Sequence, residues 1–452
     1  MQLRALLNVS GFANNISHHV SLRFMFRYAH LADIHIGGWR DPRMKDLSTL
    51  AFIAAVGKII EEKLDFVLFA GDIFNTALPA IDKVKEVTKK LRELKEADIP
   101  VYIIAGSHDF SPSGKTMLDV LEHAGLCINV VKGGVYEDQL KLRFSTDKKT
   151  GAKITGMLGK KGMLDHIYYE NLHRENLEQE QGYKIFMFHT ALAEFKPKDL
   201  ELMDAHPISL LPKGFNYYAG GHVHYIFSKE EADYGLIAYP GPLFPNNFAE
   251  LEKLKCGGFY IVTADGERTS LQYAPIRIHP TISLRYDVKY QTPQQATASV
   301  MEEIEVRAKK REENAAGHSD YPETYENAIV TLRMEGTLSD GYPHDVEFNR
   351  IFEKLYEKEA YFVMKNTTKL FTKEYEEIKV EAAPYAEENI ISQHVGKSNL
   401  FTAEEEKQLI ITLLRSLCIE KEDGERQLDF EERIIKDAAQ LLPFADMFKK
   451  RE

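Results

Sequence analysis

The chain has 452 residues, room for two to four domains at about 100–200 residues each. Hydrophobic residues make up 44% and aromatics 11%, so a large buried core is available and wholesale disorder is excluded. Lys and Arg number 57 against 69 Asp and Glu, a net charge of −12, which excludes a generic cationic coat for nucleic acid. Polyanion binding must then come from local basic patches or bound metal.

Residues 1–22 lack a long apolar stretch and an Ala-x-Ala site, so no secretory signal is expected. They read as a disordered extension, or as the product of an upstream start with Met25 nearer the true one. The compact sequence begins near Phe24, and residues 24–105 alternate apolar strands with helices. Phe24 to Ala32 is a strand ending in Asp33-Ile34-His35. Asp46 to Leu64 carries Leu47, Leu50, Ile53, Ala54 and Ile60 at helical spacing. A strand from Asp65 ends in Gly71-Asp72, Pro79 opens a helix through Ala97, and a strand from Pro100 ends in Gly106-Ser107-His108-Asp109. Further strands end in His189-Thr190 and in Gly220-Gly221-His222-Val223-His224. Residues 236–239 and 258–263 close a core that spans 23–275. The pattern predicts an α/β architecture of layered β-sheets flanked by helices.

Residues 276–383 read as a smaller α+β domain, with strands at 282–288, 326–335 and near 360–364 and helices at 292–312 and 345–358. A linker spans 384–399 and a helical pair 400–452. Thr402-x-x-Glu405 is a capping box ahead of an apolar face that includes Leu409, Leu413 and Leu417; Ile434 and Leu441 lie on the second helix. Two short amphipathic helices after a linker need a surface for their apolar faces, their own domain's or a partner's. Cys127, Cys256 and Cys418 are far apart, which excludes a disulfide framework and a thiolate zinc site and fits a reducing compartment. No apolar run approaches the roughly 18 residues of a membrane span.

Five strand ends thus carry Asp33 and His35, Asp72, Ser107 to Asp109, His189, and His222 and His224. Ligands of open α/β sheets gather at the carboxyl ends of strands, so these groups can converge. Mixed imidazole and carboxylate donors suit manganese, iron or zinc. A carboxylate can bridge two cations about 3.5–4 Å apart, which polarise a phosphate ester and activate water near neutral pH. A histidine beside such a pair can serve a developing alkoxide. His30 reads as a core histidine.

The motifs DIH, GD, GSHD, FHT and GGHVH resemble the calcineurin-like metallophosphoesterase superfamily. AHLADIHIG, LFAGDIF, IAGSHD and YPGP with a later GGFYIV resemble its Mre/SbcD DNA-repair nuclease branch, of archaeal type, from about Tyr28 to Val262. The resemblance implies two manganese ions per subunit. Asp33, His35 and His224 would hold the first, Asp72 would bridge, and His189 and His222 would hold the second, with Ser107 where the branch usually has asparagine. His108 would orient the phosphate and assist the leaving oxygen. Asn75 stands where the branch often has histidine. The resemblance further implies 3′-to-5′ exonuclease and single-strand or hairpin endonuclease activity at DNA ends. It also implies a homodimer seamed by helices 79–97 and 114–125, a capping domain over DNA, and C-terminal helices that dock an SMC-like ABC ATPase. A nucleoid-associated, prokaryotic-type cytoplasmic protein follows.

Softer features are Trp39, Arg40 and Arg43 in the loop after the first motif, and Lys148, Lys149, Lys160 and Lys161 in a basic stretch; all are candidate DNA contacts. Two other functions fit the chain: a catalytically weakened, DNA-bound scaffold for the ATPase, and another metallophosphoesterase such as a nucleotide phosphodiesterase. A phosphoprotein phosphatase is disfavoured, since its GDxVDRG motif is absent.

Overall fold

The computed structural model describes residues 25–110, 116–160, 162, 164–197, 200, 203–266, 268–314, 324–373, 391, 395, 402–417 and 433–436. The expectation for residues 1–22 lies outside them, as do most of 384–399.

In chain order the core contains β1 (Met25–Leu31), α1 (Leu47–Glu61), β2 (Phe66–Ala70), α2 (Ile81–Glu96), β3 (Val101–Ile104), α3 (Met117–His123) and β4 (Ile128–Asn129). A hairpin of β5 (Gly133–Tyr136) and β6 (Gln139–Leu142) precedes β7 (Ser145–Thr146), β8 (Lys153–Gly156), α4 (His166–Glu170) and α5 (Glu175–Glu178). Then come β9 (Lys184–His189), β10 (Tyr217–Gly221), β11 (Ile226–Glu231), β12 (Gly235–Pro240), α6 (Phe248–Leu254), β13 (Gly257–Asp265) and β14 (Arg268–Ile276). One six-stranded sheet has the order β14-β13-β1-β2-β3-β4, the other β11-β12-β10-β9-β8-β7. Strands β1 to β4 are mutually parallel, as are β8, β9, β10 and β12. Antiparallel β13, β11 and β7 flank them.

Alternation along β2 explains its unbroken apolar run. Phe66, Leu68 and Ala70 pack with Ile185, Met187, Tyr217 and Ala219 of the other sheet, whereas Val67 and Phe69 pack with Phe52, Ala55 and Leu91 of the outer helices. Between the sheets Phe66 stacks on Tyr28 at 4.6 Å and meets Tyr102 edge-on at 5.7 Å. His30 is fully buried there, its Nδ1 2.8 Å from the Tyr217 hydroxyl, so it is a core histidine. On the far side of the second sheet Phe186, Phe188, Tyr218 and Tyr239 bury against Tyr169, Leu172 and Phe215.

One expectation is corrected. In α1 the buried stripe is Leu47, Ala51, Phe52, Ala55, Val56 and Ile59, while Leu50 is 44% exposed and Ala54 also faces solvent. Apolar residues surround most of this helix, so spacing alone does not select the face; the small Ala51 and Ala55 let it approach the sheet.

Downstream lie β15 (Thr281–Asp287), α7 (Pro293–Asn314), β16 (Ile329–Thr337), α8 (Phe348–Glu357) and β17 (Phe362–Phe371), whose strands form a sheet of order β15-β16-β17. The last strand runs well beyond the expected 364. Helix α9 (Ala403–Leu417) is capped as its sequence predicts, with the Glu405 carboxylate accepting from the Thr402 amide at 2.9 Å. Chain contacts divide the protein into two units. One is Met1–Leu284 with Val306–Leu332 and Phe352–Lys365; the other is Arg285–Glu305, Arg333–Ile351 and Asn366–Glu452.

Phe66→Ala removes an aromatic ring from between two sheets that cannot close over the gap. It is expected to destabilise the first unit by about 3–5 kcal/mol, read as a lowered denaturant midpoint.

Candidate metal centre

The parallel strands of both sheets deliver their carboxyl ends to one place. Asp33 and His35 follow β1, Asp72 follows β2, Ser107 and His108 follow β3, His189 ends β9, and His222 and His224 follow β10. Five of these residues hold a left-handed backbone, with φ of 50° at Asp33, 46° at His35, 53° at Asp72, 95° at His222 and 50° at His224. Such angles cost a non-glycine residue on the order of 1–3 kcal/mol and persist only where the surroundings enforce them. Here the Asp33 amide donates to the Gly71 carbonyl at 3.2 Å, and the His35 amide to the Asp72 carbonyl at 3.0 Å. Glycine is required at two close approaches. A Cβ on Gly221 would lie 2.2 Å from the Ala70 carbonyl oxygen, and one on Gly106 2.3 Å from Asp72 Oδ1.

Asp33 and Asp72 are each 1% exposed. Both Asp33 oxygens accept the His222 amide at 3.0 Å, and Asp72 Oδ1 accepts the His108 amide at 2.7 Å. Asp72 Oδ2 lies 3.1 Å from His189 Nε2, 3.7 Å from His35 Nε2 and 3.4 Å from Ser107 Oγ. Asp33 Oδ1 lies 3.6 Å from His224 Nε2 and 4.0 Å from both His35 Nε2 and His189 Nε2. The His35 and His224 Nε2 atoms are 3.0 Å apart. Among the described residues, three overlapping groups have the spacing of cation ligands: Asp33, His35 and His224; Asp33, Asp72 and His189; His35, Asp72 and His108.

The donor set fits divalent cations. His189 donates Nδ1–H to the Ala70 carbonyl at 2.8 Å, which fixes Nε2 as the ligating nitrogen. That Nε2 is fully buried and, despite its nearness to Asp72, makes no well-formed hydrogen bond. Two buried carboxylates and four imidazoles around one pocket are the donor types that manganese, iron or zinc take.

Without a cation, protons take its place. Burial pushes Asp33 up and drives His35 down to about 3 and His222 down to about 4. Burial also opposes charge on His189 and His224, but the Asp72 carboxylate raises the first to about 10, and Asp33 with Glu250 raises the second to about 9. For Asp72 burial is likewise outweighed, and His189 with His35 holds it below the usual carboxylate range.

Two residues of this neighbourhood had no assigned role. Glu250, on α6, accepts from His224 Nδ1 at 2.9 Å and so fixes that ring's tautomer. Only its place three residues after the helix-capping Asn247 could have drawn attention to it. Asp109, buried, accepts the amides of Gly106 at 3.0 Å and Phe74 at 3.1 Å, tying the loops after β2 and β3 together. Burial and Asp72 raise it to about 7.

The expected ligands are otherwise placed as follows. His222 contributes its amide to Asp33, and its ring lies 5.3 Å from that of His189, outside the three groups. His108 packs edge-on to His35 at 4.9 Å and donates Nδ1–H to the Asn75 carbonyl at 2.8 Å. A cavity of about 470 Å³ opens here, lined by Asp72, Ser107, His108, His222, His224 and Lys253 among others. Of the candidate DNA contacts, Arg40 and Lys148 are exposed. Trp39 donates to the Pro245 carbonyl at 2.9 Å, and Arg43 stacks over Tyr356 and Phe362. Lys149 pairs with Asp98, and Lys160 bonds Tyr168; Lys161 lies outside the described residues. On α9, Leu409 and Leu413 are half-buried and Leu417 is 52% exposed; Ile434 is half-buried, and Leu441 lies outside the described residues.

Two measurements follow. The folded pKa values of His189 and His224 exceed the free imidazole value of 6.5, so their protons stabilise the metal-free protein below that pH. This contribution is lost as pH rises through about 9 to 10. Calorimetry at pH 7 in buffers of different ionisation enthalpy should register about two protons released on cation binding, with affinity rising over that window. Glu250→Gln should weaken cation affinity roughly 10–100-fold in the same titration.

Comparison with known proteins places this geometry. Residues 26–225 match the family model described as calcineurin-like phosphoesterase. The protein named DNA double-strand break repair protein Mre11 of Archaeoglobus fulgidus is 28% identical over 254 residues, 54% of this chain and 55% of that protein. Its namesake in Methanocaldococcus jannaschii is 30% identical, over 53% of this chain and 63% of that protein. The namesake in Sulfolobus acidocaldarius is 24% identical, over 84% of this chain and 93% of that protein. The chain thus spans between half and two thirds of the length of the first two. Residues 26–225, which deliver every strand end of the centre, match the calcineurin-like phosphoesterase domain, in a chain similar to archaeal Mre11 proteins.

Proposed function

We propose that the chain is a two-metal DNA phosphodiesterase of double-strand break repair, activated by manganese and acting on DNA ends. The observation that carries this reading is the meeting of Asp33, His35, Asp72, His189 and His224 around one pocket with His108 at its edge. Bound divalent cations supply charge neutralisation at the phosphate and a nucleophile from water at neutral pH. The chain's residues do the rest. Asp33, His35 and His224 would hold one cation, Asp72 would bridge, and His189, His222 and Ser107 would hold the other. His108 is anchored through Nδ1–H to the Asn75 carbonyl, so with a second proton on the ring its Nε2–H would donate to the departing 3′ oxygen. The names of the archaeal relatives support DNA as the substrate and repair as the setting.

The same reading assigns 3′-to-5′ exonuclease and single-strand or hairpin endonuclease activity. It assigns a DNA-capping role to residues 276–383 and further DNA contacts to Arg40 and Lys148. It also assigns a homodimer, supported by the exposed apolar Ile81 on α2 and Val120 on α3. An SMC-like ABC ATPase would dock on the C-terminal helices, supported by Leu414 and Leu417, 43% and 52% exposed on α9.

Cleavage of end-labelled duplex and hairpin DNA with manganese tests the proposal. Asp72→Ala is expected to abolish cutting. His108→Ser is expected to lower it about 10²–10⁴-fold while cation binding persists. Absence of cutting by the unaltered chain, even with an ATPase partner and ATP, would replace the nuclease by a DNA-bound scaffold.

A further inference from the structure

The donors of the metal centre divide unequally between its two halves. On one side Asp33, His35 and His224 form a ligating group with two imidazoles. The Nε2 atoms of His35 and His224 are 3.0 Å apart, and Asp33 Oδ1 lies 3.6 Å from the second and 4.0 Å from the first. Asp72 Oδ2 stands 3.7 Å from His35 Nε2, and Glu250 holds His224 from behind.

The other half is poorer. Its ligating group is Asp33, Asp72 and His189, one imidazole with two carboxylates that the first half also uses. The His222 ring lies 5.3 Å from that of His189 and belongs to none of the groups among the described residues. The oxygen that remains is the Ser107 hydroxyl, 3.4 Å from Asp72 Oδ2. It is neutral and sits directly on Cβ, so it brings no charge and reaches less far than the carboxylates and imidazoles around it.

Charge points the same way. Asp33 and Asp72 bring two negative charges to a buried place, which one divalent cation neutralises. A second cation would leave two positive charges in excess, and Glu250 behind His224 offsets one of them. Unmatched charge out of water is costly, so the second cation needs an anion beside it. The cavity of about 470 Å³ is lined by Ser107, His222 and Lys253, so an anion that enters it meets this half of the centre.

On the two-cation reading above, we propose that the halves fill in order. The Asp33–His35–His224 half takes a cation alone, and the His189–Ser107 half takes one only together with a phosphate, with Ser107 the residue that sets the order. The second cation and the phosphate then raise each other's affinity by the same factor. Between substrates the centre holds one ion.

Manganese titration of the chelator-stripped full chain tests this without cleavage, the free ion being counted by its paramagnetic resonance signal. One tight equivalent is expected with manganese alone. Thymidine 5′-monophosphate should add a second, tightened about tenfold or more once the nucleotide's own manganese binding is subtracted. Ser107→Asn, which sets an amide oxygen one bond further from the backbone, should give the second equivalent without the nucleotide. His189→Ala should keep the first equivalent and lose the nucleotide-dependent one, with its fold checked by thermal melting. Two equally tight equivalents in the unaltered chain, or a second one indifferent to the nucleotide, would overturn the order of filling and leave the two-metal reading standing. No tight equivalent at all would overturn both. A Ser107→Asn chain that counts like the unaltered one would remove Ser107 from its role, and loss of the first equivalent from a folded His189→Ala would overturn the assignment of the halves.

Discussion

Asp33 and Asp72 are two carboxylates sealed from water within reach of the same imidazoles, and a fold that buries like charges so closely must compensate them. Compensation comes in layers. Backbone amides of His222 and His108 take the oxygens that face the strands. Positive charge on His189 and His224 offsets the carboxylates on the pocket side until a cation replaces it. Neither carboxylate could sit there in a single-sheet protein, because the amides and imidazoles come from both sheets.

The parallel arrangement makes the meeting possible. Parallel strands all end on one side, and two parallel segments packed face to face bring their carboxyl ends to a common edge. Outer helices cover the far faces, so strands such as β2 are apolar on both sides and polar only at the tip. At that tip the sheets approach so closely that Gly221 meets the Ala70 carbonyl, which also accepts from His189.

Much of this was legible in the sequence. Apolar runs ending in Asp or His locate the strands and their tips, because a doubly covered strand is mostly apolar before its end. The capping box at Thr402 announced its helix just as directly. The buried face of α1 was not legible, since its apolar residues go round the helix. Glu250 was hidden for another reason. Its bond to His224 joins a helix to a loop 26 residues away, and no local spacing encodes such a pairing. The same holds for Trp39, whose indole is bound to a carbonyl 206 residues on. Cation-rich segments are the least informative, because Lys149 and Lys160 turn out to have partners within the chain.

The left-handed backbone at five site residues has a consequence for motion. Each such residue holds conformational energy that relaxes if its neighbours let go, so the loops at the strand tips are the part of the core most easily opened. The sheets behind them, closed by stacked aromatics, have no comparable reason to open. Amide exchange in the metal-free protein would then be fast at the tips and slow in the strands, and a cation held by three loops at once would quench it. The ions would act as fasteners for the loops, and loss of metal would be felt first as local breathing, with the fold intact beneath it.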